Sequence, residues 1–268
     1  MPIYAQYYFW LVGTSLLCFA LERRFPWRPR QRMLRPGLAQ DLFWLVFNGH
    51  FLGLIFALFT GRAVQAFNGA LHDAGLPVPA SLTLLSGTSL WLQFLVVLVV
   101  KDLVEWCIHW LLHNVPWLWE LHKLHHSIEQ LDWIGNFRFH WGEIVVYKTL
   151  SYLPLVVLGA DGRVLLAIGV LWTLMLDLNH ANLPISYGPL RYVLNSPKMH
   201  VWHHDIELHG RGGQNFGQVL SVWDWLFGTA YWPTDREAPR RLGFQGIERY
   251  PHGVPGRFVY PFFRRRAR

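Results

Sequence analysis

Ten of the fourteen histidines of this chain fall between His109 and His204, and they fall in groups. HWLLH carries His109 and His113, HKLHH carries His122, His125 and His126, and HVWHH carries His200, His203 and His204; His140 and His180 stand singly. On a helix, residues three and four apart share a face, so HxxxH stacks two imidazoles one turn apart and each HxxHH puts three on one side. Eight rings can then converge without any loop ordering. Imidazole suits iron, copper, zinc and nickel, whereas calcium and magnesium want oxygen, so the set points to a transition metal and to more than one ion. One structural zinc closes with four ligands and would leave half of these side chains unexplained. Ligand imidazoles must be neutral, and with an ordinary pKa of about 6.5 the metal should be lost in acid.

The single histidines His140 and His180 are candidate ligands or supports of ligands, whereas His50, His72, His209 and His252 read as amphipathic interfacial residues. Asp102 and Glu105 lie at the end of an apolar segment, where an unpaired carboxylate in lipid is costly. Asp102 is a candidate to accept the distal N–H of His109; an acid reaching the interface is the alternative. Glu143 and Asp205 are candidates for the same role, with Arg138 pairing with one of them.

The elements that must position these rings are apolar. Of 268 residues, 52% are hydrophobic and 15% charged, against roughly 25% charged in a soluble domain. This excludes disorder, collagen-like repeats and disulfide-stapled modules. Candidate spans run from about Tyr4 to Leu21, Leu38 to Phe59 and Leu90 to Ile108, followed by a short pair, Ile144 to Leu158 and Val164 to Leu178, around a turn at Asp161, Gly162 and Arg163. The expected fold is an all-α integral membrane bundle of four to five spans or half-spans, with a helical cap carrying the histidines. Cys18 and Cys107 lie in apolar stretches and read as packing residues.

The linker after the first span carries Arg23, Arg24, Arg28, Arg30, Arg32 and Arg35, while Gly61–Ser89 has only Arg62, so the linker is expected to be cytoplasmic. Alternation puts the histidine cap on the same side. The first span, with its positive charge after rather than before it, reads as an uncleaved anchor. The net charge of +7 and the arginines Arg264, Arg265, Arg266 and Arg268 suit anionic lipid headgroups better than nucleic acid. Trp106, Trp110, Trp117, Trp119, Trp223, Trp225 and Phe227 read mainly as an interfacial belt, and SVWDWLFGT as a packing element that closes the cap.

The ordered set HxxxH, HxxHH, HxxHH resembles the fatty acid hydroxylase/sterol desaturase superfamily of membrane di-iron enzymes. The likeness includes Asp102 seven residues before His109, Leu118-Trp119 ahead of HKLHHS, Arg138-x-His140, His180-Ala-Asn182, Ser196-Pro197 before HVWHH, and Asn215-Phe216-Gly217 followed by SVWDWLFGT. It runs from about residue 90 to 235. Trp110 departs from it, standing where relatives commonly carry Arg, which bears on the subfamily rather than the metal site.

The resemblance implies two iron ions, with O2 as co-substrate, held by His109, His113, His122, His125, His126, His140, His180, His200, His203 and His204, with Asp102 and Arg138 behind them. It implies hydroxylation or desaturation of an unactivated C–H bond in a lipid such as a fatty acyl chain or sterol-like lipid. Zinc, which is redox-inert, could not serve. Electrons are expected from a separate cytochrome- or ferredoxin-type protein, and the setting is a bacterial inner membrane or an endoplasmic reticulum. The division is then 1–89 anchor spans and basic linker, 90–235 catalytic region, and 236–268 basic tail.

Two other classes compete. A histidine-relay metal carrier or transporter would spread ligands along a path through the bilayer midplane rather than gather them at one face. A membrane haem protein needs two axial histidines and leaves the HxxHH triples without a purpose. The H-E-x-x-H string of a metalloprotease does not occur.

Overall fold

The computed structural model describes residues 6–52, 62, 65, 66, 69–75, 84–210 and 212–262. Its helices are α1 (Tyr7–Arg24), α2 (Leu38–Val46, continued by a π-helical turn Phe47–Phe51), α3 (Leu90–Asn114), α4 (Pro116–His126), α5 (Trp141–Leu158), α6 (Gly162–His180), α7 (Pro197–His203), α8 (Val222–Phe227) and α9 (Val254–Val259). Among the described residues there is no sheet, only isolated bridges at Leu194–Leu220 and Asp205–Leu242. The fold is all-helical, as expected.

Local chemistry sets where the helices begin. Ser89 caps α3 by accepting from the Leu92 N–H, and Asp161 caps α6 by accepting from the Arg163 N–H. Ser196 caps α7 through the Met199 N–H, with Pro197 in the first turn, where its missing N–H costs nothing. The turn between α5 and α6 starts at Gly159, whose φ of 60° is left-handed. That loop ends in Asp161, the position from which the sequence predicts a reversal.

Helix α6 packs against α1, α3 and α7, and α3 packs against α4 and α5. Leu85, Val97, Leu155, Val164, Ile168, Trp172, Met175 and Val219 form one apolar core beside the histidines, while Ile108, Leu112 and Leu118 fill the α3–α4 corner. The outer faces are also apolar: Val12 and Leu16 on α1 and Trp91 and Leu95 on α3 are more than half exposed. Inside, by contrast, lie Gln93, Lys101, Asp102, Glu105, Ser151 and Asp177. Glu105 accepts from Lys101, Ser151 Oγ and Trp172 Nε1, so this buried charge is paired.

One described helix, α6, is long and apolar enough to cross a membrane by length and composition. The first and third expected spans form helices, and α3 continues to Asn114, well past His109. The second expected span beyond Leu52, part of the Gly61–Ser89 segment and Arg264–Arg268 lie outside the described residues. Residues 236–262, a basic tail by composition, instead pack through Leu242, Phe244, Ile247 and Tyr250, and Phe258 stacks on Trp44. Aromatic side chains there outweigh the arginines.

Candidate metal centre

Nine of the ten candidate histidines meet in two adjacent groups. His109, His113, His122, His126 and His203 form a five-histidine group, and His125, His180, His200 and His204 a four-histidine group; within each, one nitrogen per ring lies within 4.8 Å of all the others. The rings of His126 and His204, one from each group, have centroids 4.7 Å apart. The two HxxHH motifs divide in opposite senses. Helix α4 sends His122 and His126 to the larger group and His125 to the smaller, whereas HVWHH sends His200 and His204 to the smaller and His203 to the larger. Consecutive helical residues point about 100° apart, so each HH pair straddles the boundary.

The spacing inside the groups is that of ligands around an ion. His126 Nε2 is 3.1 Å from both His113 Nε2 and His203 Nε2. In the smaller group His125, His180, His200 and His204 form a chain of Nε2 atoms at 3.2 Å steps. Two nitrogens bound at about 2.1 Å to one ion, at angles of roughly 90 to 109°, stand about 3.0 to 3.4 Å apart. Protons alone cannot account for the chain. His180 Nδ1–H donates to the Leu176 carbonyl at 2.8 Å, leaving Nε2 a bare lone pair, and the single proton of His200 Nε2 cannot serve both neighbours. A cation satisfies all four.

The larger group is oriented from behind. His109 Nδ1–H donates to the Phe216 carbonyl (2.9 Å), His203 Nδ1–H to the Gln214 carbonyl (2.8 Å) and His122 Nδ1–H to Glu143 Oε1 (2.7 Å). A lone pair on His109 Nδ1 would repel the Phe216 oxygen, so the proton sits there; the Gln218 amide, whose Nε2 is placed 2.8 Å from the same nitrogen, has to be turned over so that its oxygen shares that proton. The opposite nitrogens, His109 Nε2 and His122 Nε2, are buried without a partner. Buried acceptors left this way cost roughly 1–3 kcal/mol each, a cost that metal ligation removes. Burial, reinforced by neighbouring rings, pushes His122, His125, His126, His200, His203 and His204 well below the ordinary histidine range, so these rings are neutral and able to bind metal.

Other expected site residues are placed elsewhere. His140 joins neither group: its Nδ1 caps α5 by accepting from the Gly142 N–H (3.0 Å) and its Nε2–H donates to the Phe258 carbonyl (3.1 Å). Asp102 does not reach His109, because seven helical residues advance about 10 Å. It accepts instead from the Val219 and Leu220 N–H groups and Trp223 Nε1. Arg138 pairs with Asp41 rather than Glu143 or Asp205, and donates to the Ser127 carbonyl. Asp205 accepts from His209, not from a histidine of either group. Of the presumed interfacial aromatics, Trp106 is buried with its N–H on Asp224, and Trp119 packs on His113 and His126. The sequence reading missed Asp224 and the carbonyls of Gln214 and Phe216; an acid enclosed by aromatics in SVWDWLFGT was the available signal.

The centre falls within residues 94–229, which match the fatty acid hydroxylase family. The chain belongs to that family, within the fatty acid hydroxylase/sterol desaturase superfamily. It is 33% identical over 173 residues to an ornithine lipid hydroxylase of Rhizobium tropici, covering 65% of this chain and 51% of that protein. It is 30% identical over 147 residues to an alkylglycerol monooxygenase of Danio rerio (52% of this chain, 30% of the relative). With a very-long-chain aldehyde decarbonylase of Oryza sativa subsp. japonica it shares 26% identity over 163 residues (58% and 50%). The chain thus spans about half or less of each of these relatives, and no solved structure matches it.

Proposed function

We propose that the protein is an O2-dependent di-iron oxidoreductase that hydroxylates an unactivated C–H bond of a membrane lipid. The observation that carries this is the convergence of nine neutral imidazoles into two adjacent groups inside the family-matched segment. A five-imidazole group exceeds the four ligands of structural zinc, and zinc has no redox chemistry. Iron takes imidazole ligands and six-coordinate geometry, so either group leaves positions open. Bound there, two irons would supply oxygen activation and hydrogen abstraction. Separate electron-donor proteins of cytochrome or ferredoxin type would provide the reducing equivalents.

The chain's own part is to hold and to exclude. His109, His113, His122, His126 and His203 would hold one ion, and His125, His180, His200 and His204 the other. Phe216, fully buried, stands against His109, His113 and His203 and keeps water from that side. The apolar outer faces of α1 and α3, with polar side chains turned inward, support a setting in lipid and substrate entry from the bilayer. The linker lies at the histidine end, since Trp27 N–H and Arg28 N–H donate to Asn182 and Arg35 pairs with Asp132. Its remaining arginines support a cytoplasmic cap. The relatives' names are those of an ornithine lipid hydroxylase, an alkylglycerol monooxygenase and a very-long-chain aldehyde decarbonylase, so an alkyl or acyl chain is the proposed substrate, with residues 90–235 as the catalytic region.

Metal analysis of detergent-purified protein from iron-replete cells tests the reading, with His125→Ala as control. About two irons per wild-type chain, fewer in the control, and a hydroxylated lipid in product analysis are expected. Folded protein without transition metal would overturn it.

A further inference from the structure

Segment 214–220 passes beside the five-histidine group outside any helix or sheet, with one isolated bridge at Leu194–Leu220, yet side chains and turns bind its backbone almost throughout. Asp224 accepts from the Phe216 and Gly217 N–H groups, both at 2.8 Å. Asn195 donates to the Gly217 carbonyl and Asn179 to the Gln218 carbonyl, at 2.6 and 2.7 Å. Asp102 takes the Val219 and Leu220 N–H groups, both at 3.0 Å. Two carbonyls of the same segment, Gln214 and Phe216, are the acceptors for His203 and His109.

We propose that Asp224 is a positioning residue for the five-histidine metal site: it fixes segment 214–217, whose carbonyls set the tautomer and direction of His109 and His203. Asp102 secures the far end of the same segment. The inference rests on the dimetal reading above.

The geometry at Asp224 is closed. It is fully buried and also accepts from Trp106 Nε1 (3.0 Å) and Thr229 Oγ1 (2.6 Å), so four donors converge on one carboxylate. Gly217 must be glycine, because a β-carbon there would run into the Leu220 carbonyl and the Asp224 carboxylate. Asn215, at φ 56°, turns the chain and is itself held by donating to the Met199 and Tyr231 carbonyls. A bound backbone has little freedom to follow a ring that turns, so the rings are oriented by it. His122 takes its orientation from Glu143, and the four-histidine group draws no contact from this segment's carbonyls. An effect through Asp224 is therefore selective between the two sites.

Asp224→Asn keeps the shape but turns an amide N–H2 toward backbone donors. The test is anaerobic Fe(II) titration of D224N in two backgrounds: H204A, which disables the four-histidine group, and H203A, which disables the other. Loss of such an outer contact weakens metal binding by about 10- to 100-fold, expected in D224N/H204A and not in D224N/H203A. Thr229→Val, which removes one donor at nearly constant volume, is expected to weaken the same site less; it and D102N carry the test if D224N does not fold. Arg35→Gln, at a buried ion pair that contacts no histidine of either group, separates selectivity from general loss of stability: it should lower Tm without distinguishing the sites. Equal weakening of both sites, or none, would overturn the inference. A wild-type chain that binds no Fe(II) would overturn the dimetal reading instead.

Discussion

The five-histidine and four-histidine groups share helices but differ in what stands behind the rings. In the larger group, His109, His122 and His203 each donate to an acceptor on another element. In the smaller, His180 Nδ1 bonds within its own helix, and the Nδ1 atoms of His125, His200 and His204 are buried without a partner. His125 is held by stacking on Phe139, with ring centroids 4.6 Å apart. Hydrogen bonds fix the rotation of a ring about its axis, whereas stacking fixes only its plane. Three rings of the larger group are therefore oriented by the protein alone, whereas on the dimetal reading the smaller group would be ordered largely by its ion.

Neighbouring substitutions give the largest separation. His203→Ala removes a ligand from the five-histidine group and His204→Ala, one residue on, from the four-histidine group. Each is expected to lower metal from about two to about one per chain and to abolish lipid oxidation, the retained ion differing between the two variants by Mössbauer spectroscopy. His72→Ala and His252→Ala should change neither reading. If both alanine variants of the HH pair lose all metal, the groups form one cooperative cluster and the distinction fails.

A second separation is in affinity. A chelator titrated into the loaded protein should withdraw one equivalent well before the other, the first coming from the four-histidine group. Glu143→Gln should narrow that gap, since it replaces the only carboxyl acceptor behind a ring of either group among the described residues and weakens the larger site by about 10- to 100-fold. Simultaneous release in the wild type, or an unchanged gap in E143Q, would mean that the contacts behind the rings do not govern affinity.

The centre was legible in the sequence because helical periodicity puts HxxxH and HxxHH rings on one side. The partition between the two groups was not, since it depends on how α4 and α7 are rolled about their axes, and that is set by packing partners far away in sequence. His140 and His180 looked equivalent. The difference is that His180 ends an apolar helix facing the rings, whereas His140 precedes one and serves its first turn. Asp102 was recognised as an important acid but given the wrong partner, because its true acceptor role is toward Val219, Leu220 and Trp223, more than a hundred residues on. The all-helical architecture followed from apolar runs of span length together with the helical spacing of the histidines; the packing of residues 242–262 did not follow, because their basic character masked spaced aromatics.

Two capping residues give the smallest effects and the sharpest control. Ser196 caps α7, the helix that supplies His200 and His203 and leads directly into His204, so it serves both groups. Ser196→Ala should cost about 1 kcal/mol of stability and weaken both metal sites by a similar small factor, read in the same chelator titration. His140 caps α5, which carries Glu143 but none of the nine clustered histidines. His140→Ala should cost a similar stability, lower affinity slightly at the five-histidine group through Glu143, and leave the four-histidine group unchanged. A loss of one whole equivalent of metal in H140A would instead make His140 a ligand, at odds with the two hydrogen bonds that occupy its ring. If S196A favours one group over the other, α7 does not hold its three histidines as a rigid unit, and the difference between the groups lies in the helices rather than behind the rings.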